Sequence, residues 1–207
     1  MKSDYPVALK HLQQCLAIAH ELGDLKREAN AYSNLSNVYR NLGDLPKALT
    51  QLQKSLSIDT QLGNDEGLAG TYNNIGNVHT ELHDLDEALE NYERSAALYA
   101  KENNAKGRAQ ALMNLGATHL DRGDRTLALE EFSQSLALYR GMGRTLETGM
   151  AFNNMGRAYG ELGRAPEAYA ALDSAFTLFT DINSSRQLAR NLYYMSLIHI
   201  SEPTRPY

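Results

Sequence analysis

An all-α array of stacked antiparallel helix pairs is the fold class that this 207-residue sequence predicts, and three observations predict it. One motif returns at intervals of forty residues, as Ala31-Tyr32-Ser33-Asn34-Leu35-Ser36, Thr71-Tyr72-Asn73-Asn74-Ile75-Gly76, Ala111-Leu112-Met113-Asn114-Leu115-Gly116 and Ala151-Phe152-Asn153-Asn154-Met155-Gly156. Ala8, Ala48, Ala88, Ala128 and Ala168 form a second ladder in the same register. Within each period the apolar residues fall at helical spacing in two stretches, parted by a short turn. Such a period marks a repeat in which each unit buries its apolar face against its neighbours. One elongated domain with a long concave surface follows, and no internal boundary is expected.

The elements come in order. Ser3 to Lys26 has the register of a second helix, so residues 1–26 read as the second half of an incomplete unit. Residues 27–66 are the first complete unit. Its first helix carries Ala31, Tyr32, Leu35, Val38, Tyr39 and Leu42 on one stripe, and its second carries Leu45, Ala48, Leu49, Leu52, Leu56 and Ile58. Between them Gly43 stops one helix by accepting a left-handed conformation and Asp44 caps the next. Residues 67–106, 107–146 and 147–186 repeat the plan. His83-Asp84 and Gly123-Asp124 stand at the same turn, and Gly163-Arg164 there lacks the acidic cap. Leu22-Gly23-Asp24, Leu62-Gly63-Asn64 and Met142-Gly143-Arg144 punctuate the other end of the unit. Small residues at Ser36, Gly76, Gly116 and Gly156, with the alanine ladder, mark where paired helices approach closely. Residues 187–195 begin a fifth unit. Ser196, Ile198 and His199 could still serve as its first helix, whereas Pro203 and Pro206 break any helix at Ser201 to Tyr207; residues 196–207 are set aside as a non-native tail.

These residues resemble a known family. The aromatic at Tyr32, the Leu35-Ser36 and Ile75-Gly76 pairs, Tyr39, Ala48 and the large residue at Leu52 follow the tetratricopeptide repeat pattern in order and spacing. The forty-residue unit with Leu-Gly-Asp and Leu-Gly-Asn turns is similar to the extended subclass, which includes Leu-Gly-Asn-repeat adaptors and bacterial sensor and regulator proteins. The resemblance runs from about Ser3 to Met195. It implies a right-handed solenoid, a superhelix whose first helices line a concave groove, and a role in holding protein partners. A second resemblance concerns Ser196 to Arg205, which is similar to one translated frame of the transposon adaptor used in short-read DNA libraries. On that reading the open reading frame is truncated and an effector domain beyond residue 195 is missing.

Composition narrows the function. The net charge is −5 with both signs interspersed, so there is no basic stripe for a phosphate backbone and nucleic acid is not an expected partner. No run is long and apolar enough for a bilayer, and the start lacks a signal-peptide pattern, so a cytoplasmic protein is expected. Cys15 is the single cysteine. Its neighbours Leu9, Leu12, Leu16 and Ala19 predict a small buried hydrophobe.

No catalytic constellation, cofactor loop or metal set emerges, and no enzymatic activity is expected. The glycines recur with the repeat instead of clustering around a phosphate. His79 and His83 have the spacing of a metal pair, yet His79 and His119 occupy the packing place of Tyr39 and Tyr159.

The asparagine ladder Asn34, Asn74, Asn114 and Asn154 is the constellation that points to binding. Asparagine is a poor helix former, and here it recurs in mid-helix in every complete unit. Its amide carries donor and acceptor and can bracket a peptide bond of an extended ligand. The resemblance places it in the groove, where first helices lie about 10 Å apart and an extended chain covers that distance in about three residues. Asn37, Asn73, Asn77, Asn153 and Arg157 would supply specificity beside the ladder. Chaperone-binding members of the family hold a C-terminal carboxylate with lysines and an arginine. The matching positions here are Ser33, Asn73, Met113 and Asn153, so a carboxylate clamp is not expected.

The function expected is a protein-interaction scaffold or adaptor that docks an extended peptide. The alternative is the sensory input region of a signalling protein, a kinase, cyclase or transcription regulator whose output domain is missing. Self-association through the uncapped ends is a third expectation.

Overall fold

In the computed structural model of the chain, residues 5–201 are described, with side chains through residue 198. Ten α-helices make up the described residues: α1 Tyr5–Glu21, α2 Leu25–Asn41, α3 Leu45–Leu62, α4 Asp65–Leu82, α5 Leu85–Lys101, α6 Ala105–Arg122, α7 Arg125–Gly141, α8 Thr145–Glu161, α9 Ala165–Asp181 and α10 Ser185–Ser201. They divide into two compact units, Met1–Gly107 and Arg108–Tyr207, where the sequence reading had one domain without a boundary. The reason lies in the architecture: a stacked repeat touches only its neighbours, so any junction between repeats can part the contacts. In the first unit α2 packs on α1, α3 and α4, and α4 on α3 and α5. In the second, α8 packs on α7, α9 and α10, and α9 on α10.

Every turn is built alike. A left-handed residue stands at Gly23, Gly43, Gly63, His83, Asn103, Gly123, Gly143, Gly163 and Asn183, a spacing of twenty residues. At Gly43 the chain shows the reason: Gly43 N donates to Arg40 O (2.8 Å) and Asp44 N to Tyr39 O (2.9 Å), which ties off the carbonyls that α2 leaves open. The capping expectation holds at Asp44, whose carboxylate accepts from Lys47 N at 3.2 Å. It fails at Asp84 and Asp124, which make no cap bond. Those carboxylates turn back instead toward His79 Nδ1 (3.4 Å) and His119 Nδ1 (3.8 Å). Hydrogen bonding to Arg122 holds the Asp124 carboxyl below its ordinary pKa. Where the register supplies Tyr159 instead of histidine, the Arg164 guanidinium lies 4.7 Å from the ring centre.

The core runs where the small residues allow paired helices to meet. Ala48, Ala88, Ala128 and Ala168 are fully buried, as are Leu52, Phe132 and Leu172 on the same second helices. A Cβ on Gly76 would stand 2.7 Å from the Tyr92 ring, and one on Gly116 would stand 2.7 Å from that of Phe132. Buried serines tie the pairs together: Ser55 Oγ donates to Ala29 O at 3.0 Å and Ser135 Oγ to Ala109 O at 2.8 Å, each across twenty-six residues. Each of these hydroxyls thereby finds an acceptor inside the core, whereas Ser95, the equivalent and equally buried serine, makes no such bond.

One expectation is corrected near the start of the chain. Cys15 is exposed: among the described residues only α2 packs on α1, and Cys15 lies in a shallow cleft beside Leu12, Ile18 and Ala31. At the other end α10 continues through Ser201, and Ile198 is buried against Ala165, Ala168 and Leu172. Pro203 and Pro206 lie outside the described residues. No helix among the described residues is long and apolar enough to cross a membrane.

Candidate functional site

The candidate ladder sits on the first helix of each pair, and the structure gives its rungs different environments. Asn34, on α2, is exposed and has no hydrogen-bond partner among the described residues. Asn74, on α4, is half-buried, and its Nδ2 donates to Ser33 Oγ at 3.0 Å. Asn154, on α8, is half-buried, and its Nδ2 points at Met113 Sδ at 3.3 Å. Both bonds span forty-one residues, so each amide reaches back to the residue before the previous rung. Asn114, on α6, accepts from Gln110 Nε2 at 3.1 Å.

At Asn74 and Asn154 one N–H of the amide is engaged between repeats. The amide has a second N–H and a carbonyl oxygen beside it, so each rung keeps both a donor and an acceptor with which to meet a ligand.

Of the flanking candidates, Asn37 and Asn73 are half-buried on α2 and α4. Asn77 turns toward its paired helix, where its Oδ1 accepts from the Tyr92 hydroxyl at 2.8 Å. Burial raises the pKa of Tyr92, which keeps it protonated as donor. Asn153 is not a surface residue: it is 2 % exposed, and its Oδ1 accepts from Asn191 Nδ2 at 3.0 Å. Arg157 is half-buried between acidic groups, with Asp121 at 3.1 Å and Glu161 at 3.0 Å. It therefore serves first to link α8 to α6. In the first unit Arg40 and Glu81, at 3.3 Å, make the corresponding link between α2 and α4.

Sequence reasoning missed Asn191. It is fully buried on α10 and also donates to Leu172 O at 2.9 Å. Its signal was its misfit, since an asparagine stands where the same register has the smaller Ala31, Thr71, Ala111 and Ala151. Tyr139 was missed as well. Its hydroxyl donates to Gln110 Oε1 at 3.3 Å, and burial pushes its pKa up to about 12. Among the described residues no cluster of histidine, cysteine and carboxylate groups could hold a metal ion.

Repeated helix pairs with register-locked polar rungs define a protein-interaction scaffold of the repeat class. The sequence profile of the tetratricopeptide repeat family matches residues 1–61 and 67–141, and a second profile of that family matches residues 150–174. The chain belongs to the tetratricopeptide repeat family. Among curated proteins no sequence matches significantly. Solved structures share the fold at low identity. BtubC from P. vanneervenii is 22 % identical, with a TM-score of 0.80 over 88 % of this chain and 76 % of its own. A signal-transduction ATPase with a tetratricopeptide repeat sensor from Pyrococcus horikoshii is 18 % identical, with a TM-score of 0.86 over 97 % of this chain and 31 % of its own. A Rap protein solved with Competence and Sporulation Factor is 16 % identical, with a TM-score of 0.79 over 91 % of this chain and 52 % of its own. The chain thus spans about a third of the ATPase and about half of the Rap protein.

Proposed function

We propose that this protein is a non-enzymatic module that holds an extended segment of a partner protein along its first helices, chiefly through the ladder amides. The observation that carries this reading is the recurrence of an exposed or part-exposed amide in one register. Asn34 is exposed and unpaired, and Asn74 and Asn154 each have one amide N–H fixed by a neighbouring repeat. A fixed donor orients the amide before any ligand arrives, which lowers the ordering cost of binding. Asn37 and Asn73 flank these rungs and would adjust the fit. Each acceptor lost should weaken binding by about 0.5–1.5 kcal/mol. The test is selection of binders from a displayed library of extended peptides, followed by titration of the best binder against Asn34→Ala, Asn74→Ala and Asn154→Ala. Two- to tenfold losses at each site support the reading, and unchanged affinity at all three refutes it.

A second reading, the input region of a larger signalling protein, is favoured by the likeness to the Pyrococcus ATPase, where such repeats are the sensor. It requires the same binding face and adds an output domain. Sequencing the gene past the codon for Met195 distinguishes the two.

A further inference from the structure

We propose that the cavity bounded by α2, α3 and α4 is a receptor for an organic cation, the ammonium or guanidinium of a basic side chain, with Asp59 as its counter-charge. The inference deepens the peptide-binding reading and rests on it for the source of the cation.

The register exposes what is unusual here. The positions equivalent to Asp59 hold Ala19, Tyr99, Tyr139 and Phe179. Tyr99 lays its ring against Gly107, where a Cβ would stand 2.5 Å from it, and Phe179 lies as closely on Gly149. Tyr139 bonds Gln110. In three repeats, then, an aromatic ring fills the space beneath the first helices. Asp59 is too small to fill it, and a cavity of about 260 Å³ opens, lined by Ser33, Ser55, Asp59, Asn64, Gly67 and Gly70. That volume suits one side-chain head group and its methylenes, not a large ligand.

The carboxylate is 2 % exposed and underserved. Asn64 Nδ2 donates to its Oδ1 at 2.7 Å, a good bond. Its Oδ2 has only the Ser55 hydroxyl at 3.5 Å and the Thr71 hydroxyl at 3.4 Å. The Ser55 proton has a better acceptor in Ala29 O at 3.0 Å, and a hydroxyl has one proton to give. No cationic nitrogen of the described residues pairs with Asp59, although Lys26 stands at the rim. A carboxylate held from water without a cation is an electrostatic receptor for one.

Local structure is arranged to hold that group in place. Asn64 is the N-cap residue of α4, yet its side chain makes no cap bond and turns to Asp59. Asp24 and Asn104 stand at equivalent starts and do cap, accepting from Arg27 N at 3.0 Å and Gly107 N at 2.9 Å. Gly67 completes the arrangement, because a Cβ there would overlap both Asn64 Nδ2 and Asp59 Oδ1. Ser33, on the cavity wall, is the partner of Asn74. The pocket therefore opens beside a ladder rung, where a bound backbone would pass.

The experiment is an NMR titration of the isotope-labelled full chain with butylammonium chloride, with acetyl-Ala-Ala-Lys-Ala-Ala-amide, and with butanol as the neutral control. The expected result is saturable shifts at the Gly67 and Gly70 amides and the Asn64 side chain with both cations and none with butanol. Asp59→Asn should weaken both at least tenfold, and Asp59→Tyr, which restores the ring of the neighbouring repeats, should abolish them if the first variant folds poorly. Tighter binding of the peptide than of butylammonium assigns the site to a side chain of a bound segment. Equal or exclusive binding of butylammonium keeps the cation site and assigns it to a free amine. Absent shifts, or shifts unchanged in Asp59→Asn, overturn the proposal. That failure leaves the ladder reading standing, since the ladder is tested through Asn34, Asn74 and Asn154.

Discussion

Gly116→Ala isolates the packing rule on which the whole array depends. Gly116 is in mid-helix in α6, where exchanging glycine for alanine ordinarily stabilises by about 1 kcal/mol. Here the new Cβ would stand 2.7 Å from Phe132 Cε1 and 3.1 Å from the backbone oxygen of Ala128. Phe132 is fully buried, so its ring has no solvent to retreat into, and the carbonyl belongs to α7 itself. Overpacking of this kind costs about 1–3 kcal/mol, with the upper half more apt where backbone is involved. The net expectation is a loss of about 1–2 kcal/mol, opposite in sign to the propensity effect. Gly70→Ala is the control, since its Cβ meets only Tyr99 Oη at an ordinary 3.4 Å and should be neutral or stabilising. Urea denaturation followed by helical circular dichroism measures both, read beside hydrogen exchange because repeat arrays need not unfold in one step. Phe132→Leu in the Gly116→Ala background should recover part of the loss. A stabilised Gly116→Ala would refute the close-approach account of the small-residue column.

Asn34→Ala should stabilise the free protein by about 0.5 kcal/mol, since an exposed, unpaired amide is replaced by the best helix former, whereas Asn191→Ala should cost about 1–3 kcal/mol by orphaning the buried Asn153 Oδ1; equal effects in denaturation would contradict the two environments. Ile198→Ala should cost about 2 kcal/mol or more through the cavity left beside Ala168 and Leu172; an unchanged melting temperature would return residues 196–201 to the status of a tail. Tyr139 gives a pH dependence. Its folded pKa is raised to about 12, so its contribution is intact below pH 10 and is lost as pH climbs toward 12. Tyr139→Phe should flatten stability over that window, and an equally steep alkaline loss in the variant would place its cause elsewhere.

The helix pairs were legible because the sequence repeats its instructions. Ala48, Leu52 and Gly76 need only simple spacing rules to be read as core, and the glycine turns announce the helix ends. His83 takes the left-handed place of glycine at a turn that the register marks, and Asn103 and Asn183 take it at turns the sequence reading did not name. The candidate site was legible as positions and not as orientations. Asn73, Asn74 and Asn77 are the same residue type within five positions, and only packing decides which way each faces. Asn77 meets Tyr92 on the paired helix, while Asn74 reaches Ser33 on the neighbouring first helix. Asn153 is read outward by register, and Asn191 draws it inward. Asp59 is one carboxylate among many in the sequence. Its isolation appears only when the rings at Tyr99, Tyr139 and Phe179 are seen filling the same space.

The central claim is that the ladder carbonyls accept N–H groups from an extended ligand. N-methylation scanning of a selected peptide tests this directly, because each methyl removes one backbone donor and leaves the side chains alone. With first helices about 10 Å apart and about 3.3 Å per extended residue, Asn34 and Asn74 should read two N–H groups about three residues apart. The account predicts two- to tenfold losses at those two positions, and no further loss at the matching one when Asn34→Ala or Asn74→Ala is already present. Uniform tolerance of N-methylation, or losses that both variants leave unchanged, would contradict it.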